Sequence, residues 1–264
     1  MRAITSRQHR IVGMYRDVAR GKSSDALLLD GPHLVADALA AGLTIQHAAV
    51  QTTAADAHEV AALLDRLGHA GVDVVQVSSA VMDALSPVKS SSAIVALAAR
   101  PPSALDLVYA GGTSLVVVAV DVQDPGNLGA IVRVAEAAGA SGVVAAGVSA
   151  HPFGWKALRG SMGSALRLPI ATTDAAEIAI ADARRHECRV AATVPRGGRS
   201  LFDVDYHGPM AILIGGEGPG LPPGVIDAAD ERVTIPMQAP VESLNTAVAA
   251  ALVLYEARRQ RGQA

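Results

Sequence analysis

Aromatic side chains make up only 3% of the 264 residues, and there is a single cysteine, Cys188. A lone cysteine excludes an internal disulfide and suits a reducing compartment. The 8 histidines are scattered without ligand-like spacing, so no metal centre is expected. The apolar run Ala247–Tyr255 falls well short of the roughly 20 residues that a membrane helix needs. Met1-Arg2-Ala3-Ile4-Thr5-Ser6-Arg7 leads into no hydrophobic stretch, so no signal peptide is expected. These absences point to the cytoplasm and away from membranes. What is present is enough for a full core: 50% of residues are hydrophobic and 18% charged, which excludes a disordered chain. With aromatics scarce, that core must be built from alanine, valine and other small aliphatic side chains.

The formal net charge of −3 argues against nucleic acid, but its distribution argues the other way. Residues 1–22 carry Arg2, Arg7, Arg10, Arg16, Arg20 and Lys22 against one acid, Asp17. A second island holds Lys156, Arg159, Arg167, Arg184, Arg185, Arg189, Arg196 and Arg199. Clustering of this kind gives a local positive face on an acidic protein, although a solvated surface explains either island alone equally well.

Strand-like and helix-like stretches alternate along the whole chain. Ala26–Leu29, Ala48–Val50, Val72–Val77 and Ala93–Ala98 read as strands, and Pro32–Ala41 and Ala54–His69 as helices, giving a small α/β unit over 1–100. Arg100-Pro101-Pro102-Ser103 and Gly111-Gly112 bracket a linker, 101–114. A second unit over 115–264 opens with the apolar strand Leu115–Val120. It continues through a helix at Leu128–Ala138, a strand at Gly142–Ala146 and a helix at Thr173–Glu187. Strands at Arg189–Val194, Ala211–Ile214 and Arg232–Ile235 precede a final helix at Ser243–Arg259. Such alternation predicts an open parallel sheet covered by helices, with ligands beyond the carboxyl ends of its strands.

Three of the loops that follow strands are not ordinary turns. In the first, Asp121–Gly129, Asn127 stands where a helix N-cap is expected, and Arg133 lies among Ile131, Val132 and Val134, where its permanent charge calls for an anion. The second, Gly215-Gly216-Glu217-Gly218-Pro219-Gly220, has four glycines in six residues but neither the Gly-x-Gly-x-x-Gly register nor a Lys-Ser/Thr pair. Glu217 would repel a phosphate, so the loop suits a neutral or cationic ligand. The third joins Ile235-Pro236-Met237 to Val241-Glu242-Ser243-Leu244-Asn245-Thr246, of which helix capping by Ser243 and Asn245 explains only part. None of these loops contains a histidine, so no Ser-His-Asp or Cys-His arrangement is indicated.

Taken in order, Asp124-Pro125-Gly126-Asn127-Leu128-Gly129 with Arg133, Gly215 to Leu221, and Ile235-Pro236-Met237 with Val241 to Asn245 resemble the three motifs of SpoU-type (TrmH-like) RNA ribose methyltransferases of the SPOUT superfamily. Ser161 to Ile170 is similar to the segment those enzymes carry between the first two motifs. The resemblance implies a SPOUT domain whose parallel sheet ends in a trefoil knot, S-adenosylmethionine as cofactor, a homodimer, and transfer to a ribose 2′-hydroxyl. It implies that Thr193, Val194, Gly216, Glu217, Gly218, Ile235, Met237, Ser243 and Leu244 hold the cofactor, with the glycines close to its adenosine. It also implies catalytic parts for Arg133, Asn127, Glu217, Ser243 and Asn245, with Glu217 fixing Arg133 or the loop and Asn245 near Arg133 and the ribose. Residues 1–100 resemble, more loosely, the L30e-like module that ribosomal-RNA members use to bind substrate, so 23S-type ribosomal RNA is the favoured partner, including the subset of such enzymes that confers antibiotic resistance. Transfer RNA is the alternative substrate. An RNA-binding relative without catalysis and a nucleotide-dependent oxidoreductase are the rivals from other classes, the second opposed by the missing fingerprint. Both basic islands would then hold RNA phosphates, with Lys89 a further contact and Tyr15, Phe153 and Trp155 the candidate stacking platforms.

Overall fold

The computed structural model describes residues 1–110 and 112–262; Gly111 of the expected linker and the last two positions lie outside the described residues. These residues divide into two compact units, one of Met1–Pro101 with Phe153–Arg159, the other the remainder. The sequence pattern runs the second domain unbroken from 115 and holds no sign that Phe153–Arg159 groups with the first unit.

In the first unit β1 (Arg2–Ile4), β2 (Ala26–Asp30), β3 (Ile45–Gln51), β4 (Val74–Val77) and β5 (Ile94–Ala99) form a sheet in the order β1-β4-β3-β5-β2. β1 and β3 run parallel to β4, whereas β5 is antiparallel to β2 and β3. The arginine-rich start hides two elements from a reading of the sequence. They are β1 and the helix Arg10–Ala19, which buries Ile11, Val12 and Tyr15 at helical spacing while its cations face solvent. Tyr15 and Phe153 are buried, which removes both as stacking platforms, and Trp155 is partly buried against the core of this unit.

In the second unit β6 (Leu115–Val120), β7 (Gly142–Ala146), β8 (Ile170–Thr173), β9 (Arg189–Thr193), β10 (Arg199–Ser200), β11 (Met210–Gly215) and β12 (Glu231–Thr234) form a seven-stranded sheet. The order is β10-β12-β9-β11-β6-β7-β8 and every pairing is parallel. All of β6 and β7 is buried, the mark of strands covered on both faces. Each fully buried valine or leucine here contributes roughly 1.5–3 kcal/mol of transfer free energy. Small side chains let the layers approach closely: a Cβ on Gly142 would meet Val108 Cβ at 2.5 Å.

Several element boundaries differ from the sequence expectation, each for a local reason. The helix expected from Leu128 starts at Pro125, because Asp124 and not Asn127 is its N-cap: Asp124 Oδ1 accepts from Asn127 N at 2.8 Å. The helix expected over 173–187 spans Ala176–Arg185, and Thr173 instead ends β8. The last helix is Thr246–Gln260, capped by Asn245 alone, whose Oδ1 accepts from Ala247 N at 2.9 Å and Val248 N at 3.2 Å. Its far end is anchored by Glu256, whose carboxyl is held down to about 2 chiefly by the Arg259 guanidinium at 2.7 Å. Gln260 and Arg261 tie the same end to main-chain groups of Val204, Tyr206 and Gly208. Among the described residues no helix is long and apolar enough to cross a membrane.

Candidate functional site

Because the strands of the second sheet all point one way, the loops after β6, β9, β11 and β12 gather at one edge, next to the point where the strand order reverses between β6 and β11. A cavity of about 420 Å³ lies there. Thr193, Val194, Gly216, Glu217, Gly218, Ile235, Met237, Ser243 and Leu244 all line it, together with Asn245 and Thr246. Among the described residues, Glu217 is the single charged side chain of the lining.

The glycine loop is held by its own packing. A Cβ on Gly215 would meet Leu221 N at 2.5 Å, and one on Gly216 would overlap the main-chain oxygen of Asp121. Gly218 and Gly220 take φ of 90° and 71°, which L side chains rarely adopt, and Gly216 bridges to Gly220. The glycines therefore make the loop possible before any ligand is considered. Thr246 fastens the loop to the C-terminal helix, its hydroxyl donating to Gly215 O at 2.7 Å.

A chain of side-chain hydrogen bonds joins the three motif loops. Asn245 Nδ2 donates to Asn127 Oδ1 at 3.0 Å, and Asn127 Nδ2 donates to Glu217 Oε1 at 2.6 Å. Glu217 Oε2 also accepts from Gln123 N at 3.3 Å. Asn127 is free to join these contacts because Asp124 takes over the capping role. Asp121 is the residue that sequence inspection misses. It sits at φ 55°, uncommon for a non-glycine, its Oδ1 accepts from Val148 N at 2.9 Å, and its backbone presses against Gly216. The signal available was an aspartate, which tolerates the left-handed region, directly after a buried strand.

Arg133 does not join this cluster. It is exposed and makes no hydrogen bond or ion pair with a described residue. The anion expected from its apolar neighbours is unnecessary, because Ile131 and Val132 face the core while Arg133 faces water. Six residues along a helix turn it about 120° away from Asn127. Glu217 therefore fixes Asn127 and the loop but not Arg133, and Asn245 meets Asn127 and not Arg133. Ser243 is exposed at the cavity and does not cap the helix.

The charge islands also resolve differently. Much of the second is neutralised in place: Arg167 by Glu136 at 2.8 Å, Arg184 by Asp230 at 3.1 Å, and Arg199 by Glu231 at 3.0 Å. In the first, Arg2, Arg10, Arg16 and Arg20 are exposed without a side-chain partner among the described residues, and only Lys22 is paired, with Asp17 at 3.1 Å. Asp106, Asp182 and His186 lie near enough to share a cation, but Arg185 is already ion-paired with both carboxylates.

A family model described as the SpoU rRNA Methylase family matches residues 114–255. An uncharacterised tRNA/rRNA methyltransferase of Synechocystis sp. is 33% identical over 98% of this chain and 94% of its own length. A 23S rRNA (guanosine(2553)-2′-O)-methyltransferase of Bacillus subtilis is 27% identical over 89% of each chain. Among solved structures, the AdoMet-bound rRNA methyltransferase from Sinorhizobium meliloti superposes with a TM-score of 0.85 at 30% identity, over 98% of this chain and 97% of that one.

Proposed function

Since the chain belongs to the SpoU rRNA methylase family, we propose that it methylates a ribose 2′-hydroxyl of 23S-type ribosomal RNA. The observation that carries this reading is the hydrogen-bonded chain Glu217–Asn127–Asn245 beside the cavity, which joins residues of three separate loops into one polar arrangement. The relatives named as RNA methyltransferases support the reading, and the Bacillus subtilis relative supports its ribose 2′-O and 23S details.

S-adenosylmethionine is the cofactor, and it supplies an electrophilic methyl group on a sulfonium leaving group. The residues fit it. A cavity of about 420 Å³ lies within the range for small-molecule sites. Val194, Ile235 and Leu244 offer apolar walls, the glycine loop offers main-chain groups, and the single lining charge, Glu217, is opposite in sign to a sulfonium. Asn127 and Asn245, each fixed by a second partner, orient the ribose, and the exposed Ser243 hydroxyl adds a further donor and acceptor. Positioning of this kind removes much of the entropic barrier of an in-line displacement. An arginine holds its proton too firmly to serve as a base, so Arg133 acts by charge, binding a phosphate of the target or stabilising the developing alkoxide.

The homodimer belongs to the same proposal. On the C-terminal helix Val248, Leu252 and Tyr255 are 48%, 43% and 52% exposed at helical spacing. Next to it, the helix Pro125–Ala137 leaves Gly126, Ala130 and Ala137 on its outer stripe with Arg133, and the three small residues allow another helix to approach. A second copy covering both helices brings Arg133 toward the partner's cavity. The path of the chain supports the proposed knot: β12 inserts between β9 and β10, both laid down before it. The mixed sheet of the first unit and its unpaired arginines support an L30e-like substrate-binding role.

The test is transfer of tritium from labelled S-adenosylmethionine to transcripts of large-subunit ribosomal RNA and, in parallel, to transfer RNA, followed by alkaline hydrolysis. A methylated 2′-oxygen cannot attack the adjacent phosphodiester, so the label is expected in an alkali-resistant dinucleotide. Label in mononucleotides would point to base methylation and overturn the ribose assignment, and label in transfer RNA alone would overturn the ribosomal one.

A further inference from the structure

With Tyr15 and Phe153 buried and Trp155 partly buried, the aromatic residues left fully facing solvent are few. Of the 2 phenylalanines, 1 tryptophan and 4 tyrosines, only Phe202 and Tyr255 are exposed, to 65% and 52%. Tyr255 shares its helix stripe with Val248 and Leu252, and Phe202 has no exposed apolar neighbour in its own turn. Its neighbours in the turn are buried, Leu201 to 3% and Val204 to 1%, or polar, Ser200 and Asp203. A single ring in polar surroundings is the size of one planar ligand and too small for a protein interface.

The ring is held in place. Leu201 and Val204 anchor the turn from both sides, Phe202 N donates to Ser200 Oγ at 3.3 Å, and Asp203 N donates to Ser200 O at 2.9 Å. Its place is informative too. Leu201 N donates to Thr234 O at 2.9 Å, and the chain beyond Thr234 supplies Ile235 and Met237 to the cavity. Phe202 therefore flanks the cavity at the carboxyl end of the sheet. Arg196, in the loop leading to β10, is 75% exposed but already ion-paired with Glu242 at 3.4 Å, so the case for Phe202 rests on its ring and its place.

We infer that Phe202 is a stacking platform for an unpaired base of the RNA, next to the nucleotide that is methylated; the inference rests on the RNA-methyltransferase reading above. A base supplies the flat apolar face that Phe202 lacks in the free chain. Stacking is tolerant of base identity, so Phe202 contributes affinity and register more than sequence choice.

The variants Phe202→Ala, Phe202→Leu and Phe202→Trp separate stacking from mere apolar contact, with an in-vitro transcript of large-subunit ribosomal RNA as the probe. The Ala and Leu variants are expected to raise the KM for RNA roughly tenfold, with kcat and cofactor affinity within about twofold and the Trp variant near wild type. A transcript carrying 4-thiouridine is expected to photocrosslink to the peptide containing Phe202. A Leu variant with wild-type KM, absence of the crosslink, or a shift of the variants to a smaller oligomer would each overturn the inference while leaving methylation in place. Crosslinking at Phe202 without any methyl transfer would leave the RNA contact standing and overturn the activity instead.

Discussion

Asn245 carries two sets of contacts that substitution can separate. Its Oδ1 caps the C-terminal helix, and its Nδ2 donates to Asn127. Asn245→Ala removes both. Loss of an asparagine cap costs about 1 kcal/mol, which for a chain of this size lowers the melting temperature by roughly 2–4 °C. Asn245→Asp keeps the cap, because a carboxylate accepts from the same backbone N–H groups and is favoured at a helix N-terminus by about 0.3–1 kcal/mol. It loses the donor, however, and sets an oxygen against Asn127 Oδ1, 3.0 Å from Nδ2 in the native pair. It also adds a negative charge beside Glu217, which shares the same Asn127 at 2.6 Å. Stability and activity are therefore expected to part. The Asp variant should melt near wild type yet methylate on the order of 10²-fold more slowly, the loss expected of a misplaced positioning group. The Ala variant should lose both. Thermal melts and initial rates of methyl transfer measure the two effects on the same preparations. An Asp variant with full turnover, or one that melts as low as the Ala variant, would refute the double role.

Gly216→Ala drives a Cβ into the main-chain oxygen of Asp121, so calorimetric titration should show cofactor binding lost or weakened by about tenfold or more, in a protein that still folds. Arg133→Lys keeps the charge but not the planar fork. It is expected to lower kcat with cofactor affinity unchanged, and full turnover would remove the guanidinium from the mechanism. If Arg133 serves the partner's cavity, mixing the inactive Arg133→Ala and Asn245→Asp variants restores about one quarter of wild-type activity, because random exchange makes half the dimers mixed and each has one intact site; no recovery after verified exchange would place Arg133 in its own chain's site. Glu256→Gln should lower the melting temperature at neutral pH. Because the folded carboxyl sits at about 2, below its ordinary 4.5, its contribution is complete above about 4.5 and fades as pH falls toward 2, so the difference between variant and wild type should shrink over that window.

The three motif loops were legible in the sequence because glycine, proline and polar residues directly after apolar strands have few structural excuses. The cap positions were less so. Asn127 and Asp124 are both good N-caps, and the Pro125 that follows Asp124 is the residue that tips the choice. Trp155 and Phe202 show the opposite failure: both are aromatic and near arginines, and only packing reveals that one lies against a core and the other is 65% exposed. The second basic island was overread for the same reason, since Glu136, Asp230 and Glu231, which neutralise it, lie far from their partners along the chain or across a strand pair.

The sequence by itself determined the class of fold, the strands that bury both faces, and the residue types available for chemistry, because these follow from local hydrophobic pattern and backbone preference. Which of those residues meet was decided only by the tertiary structure. Asn127 and Asn245 are 118 positions apart, and Asn127 and Glu217 are 90. The parallel sheet brings them within hydrogen-bond distance, and the same packing turns Arg133 outward. Contacts at that separation depend on strand order, which no local pattern encodes.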